Sequence, residues 1–275
     1  FYFHKLYLEK DKLYFNFLHS FKEKYIDYDV IVMNPGVDLV HPEFLIKHFP
    51  NTLKCLHFID DPHATYSYGF PYAWAFDCAT YISPSYNQLS MVEILNNVGL
   101  EKNRWFPHCV TNNNQPKYEI NHLSEQLNKR NNKALYVGGF YSGKIKRLIY
   151  LKNMLKSDFD IFGRYPLNGF SFPLISLFNK KINFYRVRSL TEEALENYYS
   201  NYAIGVNMHL SYPARETGNA RTYELAYRGL AQVVDDGNHS LINKIFKPEK
   251  EILTYHNIKE CVDQIRRLQN NNDLR

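Results

Sequence analysis

The chain carries 275 residues, with 33 Lys and Arg against 28 Asp and Glu for a formal net charge of +5, and 45% hydrophobic and 16% aromatic residues. That length holds two ordinary domains or one large one, and an apolar content that includes 23 Tyr and 19 Phe excludes disorder over most of the chain. The modest positive excess describes a mildly anion-friendly surface and argues against a dedicated nucleic-acid binder. Cys55, Cys78, Cys109 and Cys261 are scattered without a C-x-x-C pair, which argues against a zinc site and a disulfide framework and fits a reducing cytoplasm. No apolar run reaches eighteen residues, and FYFHKLYLEK is too charged for a signal-peptide core, so a soluble protein with no membrane span is expected.

Leu13, Phe17, Leu18 and Phe21 fall at helical spacing between Leu13 and Lys24, and YDVIVMNPG follows as a short strand closed by Pro35 and Gly36. PEFLIKHFP reads as a short helix ended by Pro50, LKCLHFI and ATYIS as strands, Tyr86 to Val98 as a helix capped by Gly99, and NRWFP as a last strand. Such alternation predicts a parallel α/β sheet. Asp60, Asp61 and His63 stand just past a strand's carboxyl end, where open α/β sheets place their ligand crevice. An ordinary Asp-Pro turn at Pro62 is the alternative. Tyr66, Tyr68, Phe70, Tyr72 and Trp74 read either as a stacking platform for a sugar or base or as a hydrophobic flap over the sheet.

Residues 116–132 are rich in Asn, Gln and Lys and poor in large aliphatics, so they are read as a polar connection between a domain over 1–115 and another over 133–275. INHLSEQL within that stretch has the makings of a short helix. The second domain opens with ALYVGGFYSGKIKRLIYLKNM, a strand, a glycine pair and a helix. Gly138 and Gly139 permit a tight turn against a bound group, and Lys144 and Arg147 sit in the first turns beyond it. This is not a P-loop, because Ile145 stands where G-x-x-x-x-G-K-[ST] needs Ser or Thr. A solvated basic helix face is the competing interpretation. FDIFGRYP is a strand ending in Gly163, INFYRV another, TEEALENYYSNY a helix capped by Thr191, and AIGVNMHL a strand. The C-terminal segment gives a short strand, then an amphipathic helix with Ile258, Val262, Ile265 and Leu268 on one face.

The stretch ETGNARTYE, Glu216 to Glu224, gathers acid, glycine, amide and guanidinium chemistry in a turn that enters a helix. Leu225, Ala226 and Leu230 carry the helical spacing, Gly229 suits the C-terminal cap, and LAQVV reads as a buried strand. Free backbone N–H groups and the positive end of the helix dipole make the helix start receptive to an anion, and Gly218 allows close approach. Phosphate is the natural guest. The two glutamates would repel it and suit sugar hydroxyls, so together the groups suggest a sugar nucleotide. The plainer alternative is an Arg221–Glu224 ion pair at i,i+3 on a surface helix.

From INFYRVRSLTEEALENYYSNYAIGVNMHLSYPARETGN through LAQVVDDGNHSLINKIF, about the last half of the chain resembles the donor-binding half of GT-B glycosyltransferases. It resembles in particular the spore maturation protein CgeB-like group, with glycosyltransferase family 4 as the wider relative. Glu216 and Glu224 have that wider group's Glu-x7-Glu spacing, and the CgeB-like group has an Asp-Asp-Pro like that at Asp60 to Pro62. Family 4 places Arg directly after its first loop glycine, where this chain has Gly139. The resemblance implies two Rossmann-like domains with parallel sheets facing across a cleft. The N-terminal, acceptor-side domain is expected to be shortened, since the usual first strand and glycine-rich turn are not found after Phe1.

What the resemblance implies for function is transfer of a sugar from a nucleotide diphosphate sugar to an acceptor hydroxyl, without a metal or other cofactor. A UDP-sugar is the favoured donor. The acceptor is open among a glycan, a protein, a small molecule and modified DNA. The donor-binding set is Gly138, Gly139, Lys144, Arg147, Tyr185, Arg186, Val187, His209, Gly218, Asn219, Ala220, Arg221, Thr222 and Glu224. Asp61, His63 and Glu216 are the catalytic candidates. With Glu216 on the donor sugar, retention is favoured and the leaving phosphate helps deprotonate the acceptor. With Asp61 as general base, or His63 in reserve, inversion follows. The alternatives are a catalytically silent module that keeps the donor grip and a glycosyltransferase acting on modified DNA bases.

Overall fold

The computed structural model describes residues 2–34, 40–59, 69–86, 89–107, 129–140, 142–163, 185–186, 192–209, 214–215, 218–236 and 241–275. They belong to two compact units, one of Phe1–Pro107 with Tyr212–Glu216 and one of His108–Ser211 with Thr217–Arg275. The first unit begins with α1 (Tyr2–Leu8) and α2 (Lys12–Tyr25). The side chain of Asp11 accepts a hydrogen bond from the Tyr14 N–H and so starts α2. Next come β1 (Val30–Met33), α3 (Pro42–His48), β2 (Leu53–Phe58) and β3 (Cys78–Tyr81). The unit continues with β4 (Ser85–Tyr86), β5 (Leu89–Ser90), α4 (Met91–Asn97) and β6 (Asn103–Trp105).

Strands pair in parallel in the order β1-β2-β3-β6. Burial alternates along β1, β2 and β3, so one face, with Ile31, Met33, Leu56, Phe58, Ala79 and Tyr81, packs into the core. The opposite face leaves Val30, Val32 and Leu53 between 45% and 60% exposed. The helix expected over Tyr86 to Val98 starts later, at Met91. β4 and β5 pair antiparallel ahead of it, and the Ser90 hydroxyl accepts the Val92 N–H at 3.2 Å as the true cap. Phe70–Ala75 forms a 3-10 helix that buries Ala73 and Ala75, packs Phe70 and Tyr72 on the core and leaves Trp74 exposed. Cys55 and Cys78, 23 positions apart in sequence, are register partners on β2 and β3, and the three described cysteines are free thiols.

The second unit carries β7 (Asn131–Val137), α5 (Ser142–Leu155), β8 (Phe159–Gly163), β9 (Tyr185–Arg186) and α6 (Glu192–Asn201). They are followed by β10 (Tyr202–Asn207), α7 (Ala220–Tyr227), β12 (Ala231–Asp235), β13 (Leu253–Tyr255) and α8 (Ile258–Asn270). The intervening β11 (Ala214–Arg215) belongs to the first unit, where it pairs antiparallel with β4. β7 thus starts two residues inside the stretch read as a connection, and Thr191 and INHLSEQL lie outside the described residues. Six parallel strands run β13-β12-β10-β7-β8-β9, the order 6-5-4-1-2-3 in chain sequence. Residues of α5 and α8 cover one face of this sheet and residues of α6 and α7 the other. Both faces being covered is why β8 and β10 are buried at every position.

His41 caps α3 in the first unit and is 1% exposed. Its Nδ1 accepts the Glu43 N–H, its Nε2 lies 2.7 Å from His4 Nδ1, and the Tyr7 ring stacks on it at 3.8 Å. Burial and the neighbouring His4 hold its pKa down to about 4. The unfolded chain therefore binds a proton that the folded chain refuses between about pH 6.5 and about pH 4. Stability contributed by His41 is complete above that window and is lost as pH falls through it. Denaturant midpoints should accordingly decline from about pH 7 to about pH 4.5, and His41→Asn, which keeps a capping oxygen, should flatten the decline.

Candidate functional site

In a sheet of this order the direction of chain progression reverses between β7 and β10, and ligand crevices of open α/β sheets lie outside the strands' carboxyl ends at such a switch point. Gly138 and Gly139 follow β7 there, and Met208 and His209 follow β10. The Gly138 N–H donates to Phe162 O at 3.0 Å, and Tyr136 Oη donates to Gly139 O at 3.1 Å, so the glycine turn is held on both sides. A Cβ on Gly163 would lie 1.9 Å from Gly138 O, and one on Gly138 would lie 2.3 Å from Arg221 Nη1. Glycine at these two positions is what lets β8 close on the turn and the guanidinium close on the backbone.

The first turn of α7 is tied down by a buried amide network. Asn207, 1% exposed at the end of β10, donates from Nδ2 to Asn219 Oδ1 at 3.0 Å and to Thr222 Oγ1 at 2.8 Å, and its Oδ1 accepts from Asn219 Nδ2 at 3.1 Å. Asn219 and Thr222 complete a capping box, each side chain accepting the other's backbone N–H, and Gln232 Nε2 donates to Thr222 O at 2.9 Å. Gly218 turns the chain into this cap at φ 126°, a region L side chains rarely adopt. At the far end, Arg130 donates to Arg228 O at 3.0 Å and Gly229 O at 3.2 Å, capping the helix's last carbonyls. Ala220 and Arg221 N–H have no hydrogen bond among the described residues.

Asp235, at the end of β12, is the second hub. It accepts from Arg147 Nη1 at 2.8 Å, from His209 Nδ1 at 2.6 Å and from the His209 N–H at 2.8 and 3.0 Å. Burial pushes its carboxyl up, but the hydrogen bonds from the His209 side chain and backbone and the Arg147 charge outweigh burial and hold it below the usual carboxylate range. Arg147 Nη2 donates to His209 O at 2.6 Å and its Nε to Gly143 O at 3.3 Å. Arg221 differs from Arg147: its buried Nε has no hydrogen-bond partner among the described residues. Burial works against its charge, and Tyr199, Tyr136 and Glu224 more than restore it, so the pKa is raised and the group stays cationic.

Residues 145–275 match the family model described as glycosyl transferase-like. A search of curated proteins finds no match to the sequence. Among solved structures, an alpha-glucosyltransferase in complex with UDP-glucose and DNA containing an abasic site aligns over 94% of this chain and 76% of its own, with 12% identity and a TM-score of 0.61. HepE of Anabaena in complex with UDP-glucose aligns over 94% and 73% with 11% identity and a TM-score of 0.59. The sucrose-phosphate synthase of Thermosynechococcus elongatus aligns over 94% and 69% with 15% identity and a TM-score of 0.58. The α/β fold with its two parallel sheets is that of GT-B glycosyltransferases.

Within the second unit, the structure gathers Gly138, Gly139, His209, Gly218, Asn219, Ala220, Arg221 and Thr222 around the switch point. Lys144 is buried near the start of α5, and Glu224 is half-buried one turn into α7. Three residues have partners other than those expected. Each of the three Arg147 guanidinium nitrogens bonds to protein, Nη1 to Asp235 and Nε and Nη2 to the Gly143 and His209 carbonyls. Thr222 is fully buried, with its Oγ1 in the amide network, and the Asn219 N–H is bonded to His209 Nε2 at 3.1 Å and to Thr222 Oγ1 at 3.2 Å. Among the described residues no ion pair joins Arg221 to Glu224, so the plainer surface-pair interpretation is not what the fold adopts. Tyr185 and Arg186 form β9 beside β8, while Val187, Asp61, His63 and Glu216 lie outside the described residues. Asn207, Gln232 and Asp235 were not singled out in the sequence, although Asn207 and Asp235 both end strands at carboxyl edges, the signal that would have found them.

Two Asp-x-Asp spacings exist, at Asp27 with Asp29 and at Asp158 with Asp160. Asp160 accepts from Tyr202 Oη at 2.8 Å and pairs with Lys152 at 3.5 Å and Lys133 at 3.6 Å. Among the described residues no group of three His, Cys, Asp or Glu side chains is arranged to hold a metal ion, and no helix is long and apolar enough to cross a membrane. The glycine contact gives a paired prediction. Gly163→Ala forces a methyl onto Gly138 O and should lower stability by about 1–3 kcal/mol. Gly143→Ala, with nothing within 4 Å of the new methyl and a helical position, should be neutral or stabilising by up to about 1 kcal/mol. Urea midpoints of the two variants measure the difference.

Proposed function

We propose that the second unit binds a nucleoside diphosphate sugar at its switch point and that the chain transfers the sugar to an acceptor hydroxyl. The observation that carries this reading is the Arg221 guanidinium, cationic, lodged against the Gly138 backbone and holding a buried N–H without a partner among the described residues, beside the Ala220 and Arg221 N–H groups of a helix start. A cation, a glycine turn and helix N–H groups converging at a switch point match the needs of a diphosphate. Glu224, which forms no ion pair with Arg221 among the described residues, is assigned to the ribose hydroxyls, and Lys144 adds charge from α5. Negative charge growing on the leaving diphosphate would be met by Arg221 and the helix start, so no metal ion is required. Two structural neighbours have UDP-glucose in their complexes, which favours uridine as the base and glucose as a first sugar to try.

The CgeB-like resemblance supports Asp61 as an acceptor-side residue and Glu216 as a donor-sugar contact, with retention favoured. A modified DNA base as acceptor has specific support: two neighbours are alpha-glucosyltransferases in complex with DNA, one with an abasic site and one with an HMU base. A silent donor-binding module is the remaining alternative. Incubation with a panel of nucleotide sugars, alone and with duplex DNA containing hydroxymethylated bases, separates the three. Slow donor hydrolysis is the expected result of an enzyme. Binding without any hydrolysis or transfer would favour the silent module.

Two variants test the residue assignments. Glu224→Ala should weaken uridine diphosphate binding by about 1.5–3 kcal/mol, the range for hydrogen bonds to a charged group. Unchanged affinity by calorimetry would remove Glu224 from the ribose. Arg221→Ala should reduce single-turnover rates more than donor affinity, since its charge counts most as the leaving group departs.

A further inference from the structure

Asp235 lies behind the proposed diphosphate site and is linked to it through one side chain. Its Oδ1 is 2.6 Å from His209 Nδ1, and an ionised carboxylate can only accept, so Nδ1 carries the proton. On the other side of the ring, His209 Nε2 is 3.1 Å from the Asn219 backbone nitrogen, an obligate donor, so Nε2 must be bare. Both constraints select the neutral Nδ1–H form of the imidazole. With the proton on Nε2 instead, that N–H would face the Asn219 N–H, donor against donor. Asn219 is the cap of α7, and the next two N–H groups are those of Ala220 and Arg221. The Arg147 fork on Asp235 Oδ2 and His209 O ties the carboxylate to the backbone that carries the ring.

We infer that Asp235 is a positioning residue for the donor: by fixing the His209 tautomer it makes the ring an acceptor for the Asn219 N–H and thereby sets where the first turn of α7 presents its free N–H groups to the diphosphate. The inference rests on the diphosphate reading of the site. Asp235 itself touches no ligand in this account. Its hold on the ring acts through the His209 side chain, and this separates it from the structural hold that Asp235 shares with Arg147. Substituting His209 by Gln places an amide oxygen near the former Nε2, an acceptor that needs no carboxylate to orient its proton. Asp235 should then matter less.

The test combines a spectrum and a mutant cycle. In wild-type protein labelled with nitrogen-15 in histidine, long-range proton–nitrogen correlations should show His209 protonated at Nδ1 and bare at Nε2, assigned by loss of its signals in His209→Gln. Calorimetry with uridine diphosphate should show Asp235→Asn weakening binding by at least about fivefold, and the same change in the His209→Gln background having a smaller effect, the non-additivity expected of residues acting through one another. An Nε2-protonated His209, read on the unaltered protein, overturns the proposal whatever the variants do. So does an Asp235→Asn effect of equal size in both backgrounds, or none. Failure of the wild type to bind uridine, guanosine or thymidine diphosphate overturns the functional reading and this proposal with it, whereas wild-type binding that Asp235→Asn leaves intact overturns this proposal alone.

Discussion

The site in the second unit depends on the hold that β10 keeps on the first turn of α7. A helix of eight residues has little stability of its own, because the cost of nucleation is spread over few hydrogen bonds. Here the Asn207, Asn219 and Thr222 side chains interlock beneath it, with Gln232 bonding the Thr222 carbonyl, while Arg130 closes the other end. Each of these buried groups would cost about 1–3 kcal/mol if left without a partner. Because their bonds are shared, the network fixes one orientation of the helix rather than a range. A rigid helix start is a fixed array of N–H dipoles, the form of anion site that needs no reorganisation when charge arrives.

Charge in this unit is sorted by partner. Arg147 and Asp235 neutralise one another and brace His209, whereas Arg221 is left facing the Gly138 turn with aromatic rings and no carboxylate bridge among the described residues. Two arginines that look alike in sequence thus stand in different settings: one joins strand ends, and one, in the proposed function, supplies field to the crevice. The separation follows from topology. Arg147 lies on α5, which follows β7 and packs on the face shared with α8, and from there it reaches the carboxyl ends of β10 and β12. Arg221 lies on α7, across the sheet, and reaches the end of β7.

The alternation of strands and helices was legible from spacing alone, and so were the glycine turn after β7 and the helix after Gly218. β10 could be recognised as a nearly continuous apolar run from Tyr202 to Val206, because a parallel strand covered on both faces has no polar side to show, whereas β8 is interrupted by Asp160, which Lys152 and Lys133 pair. The helix start at Met91 was obscured because β4 and β5 are only two residues each, too short to show a period of two. The partners of Arg147 were hidden for a different reason. Asp235 is 88 positions away, and only the sheet order, which sequence spacing does not encode, brings the two to 2.8 Å. Separation along the chain likewise concealed the capping of α7 by Arg130, which lies 99 positions before Gly229, and the pairing of Cys55 with Cys78.

The most direct test of the central claim is a crystal structure of the chain with uridine diphosphate bound. The account predicts phosphate oxygens within hydrogen-bonding distance of the Arg221 guanidinium and of the Ala220 and Arg221 N–H groups, alongside the Gly138 turn, with Asp235, His209 and Asn219 unmoved. A diphosphate bound elsewhere, or one whose arrival breaks the His209 to Asn219 bond, would contradict it.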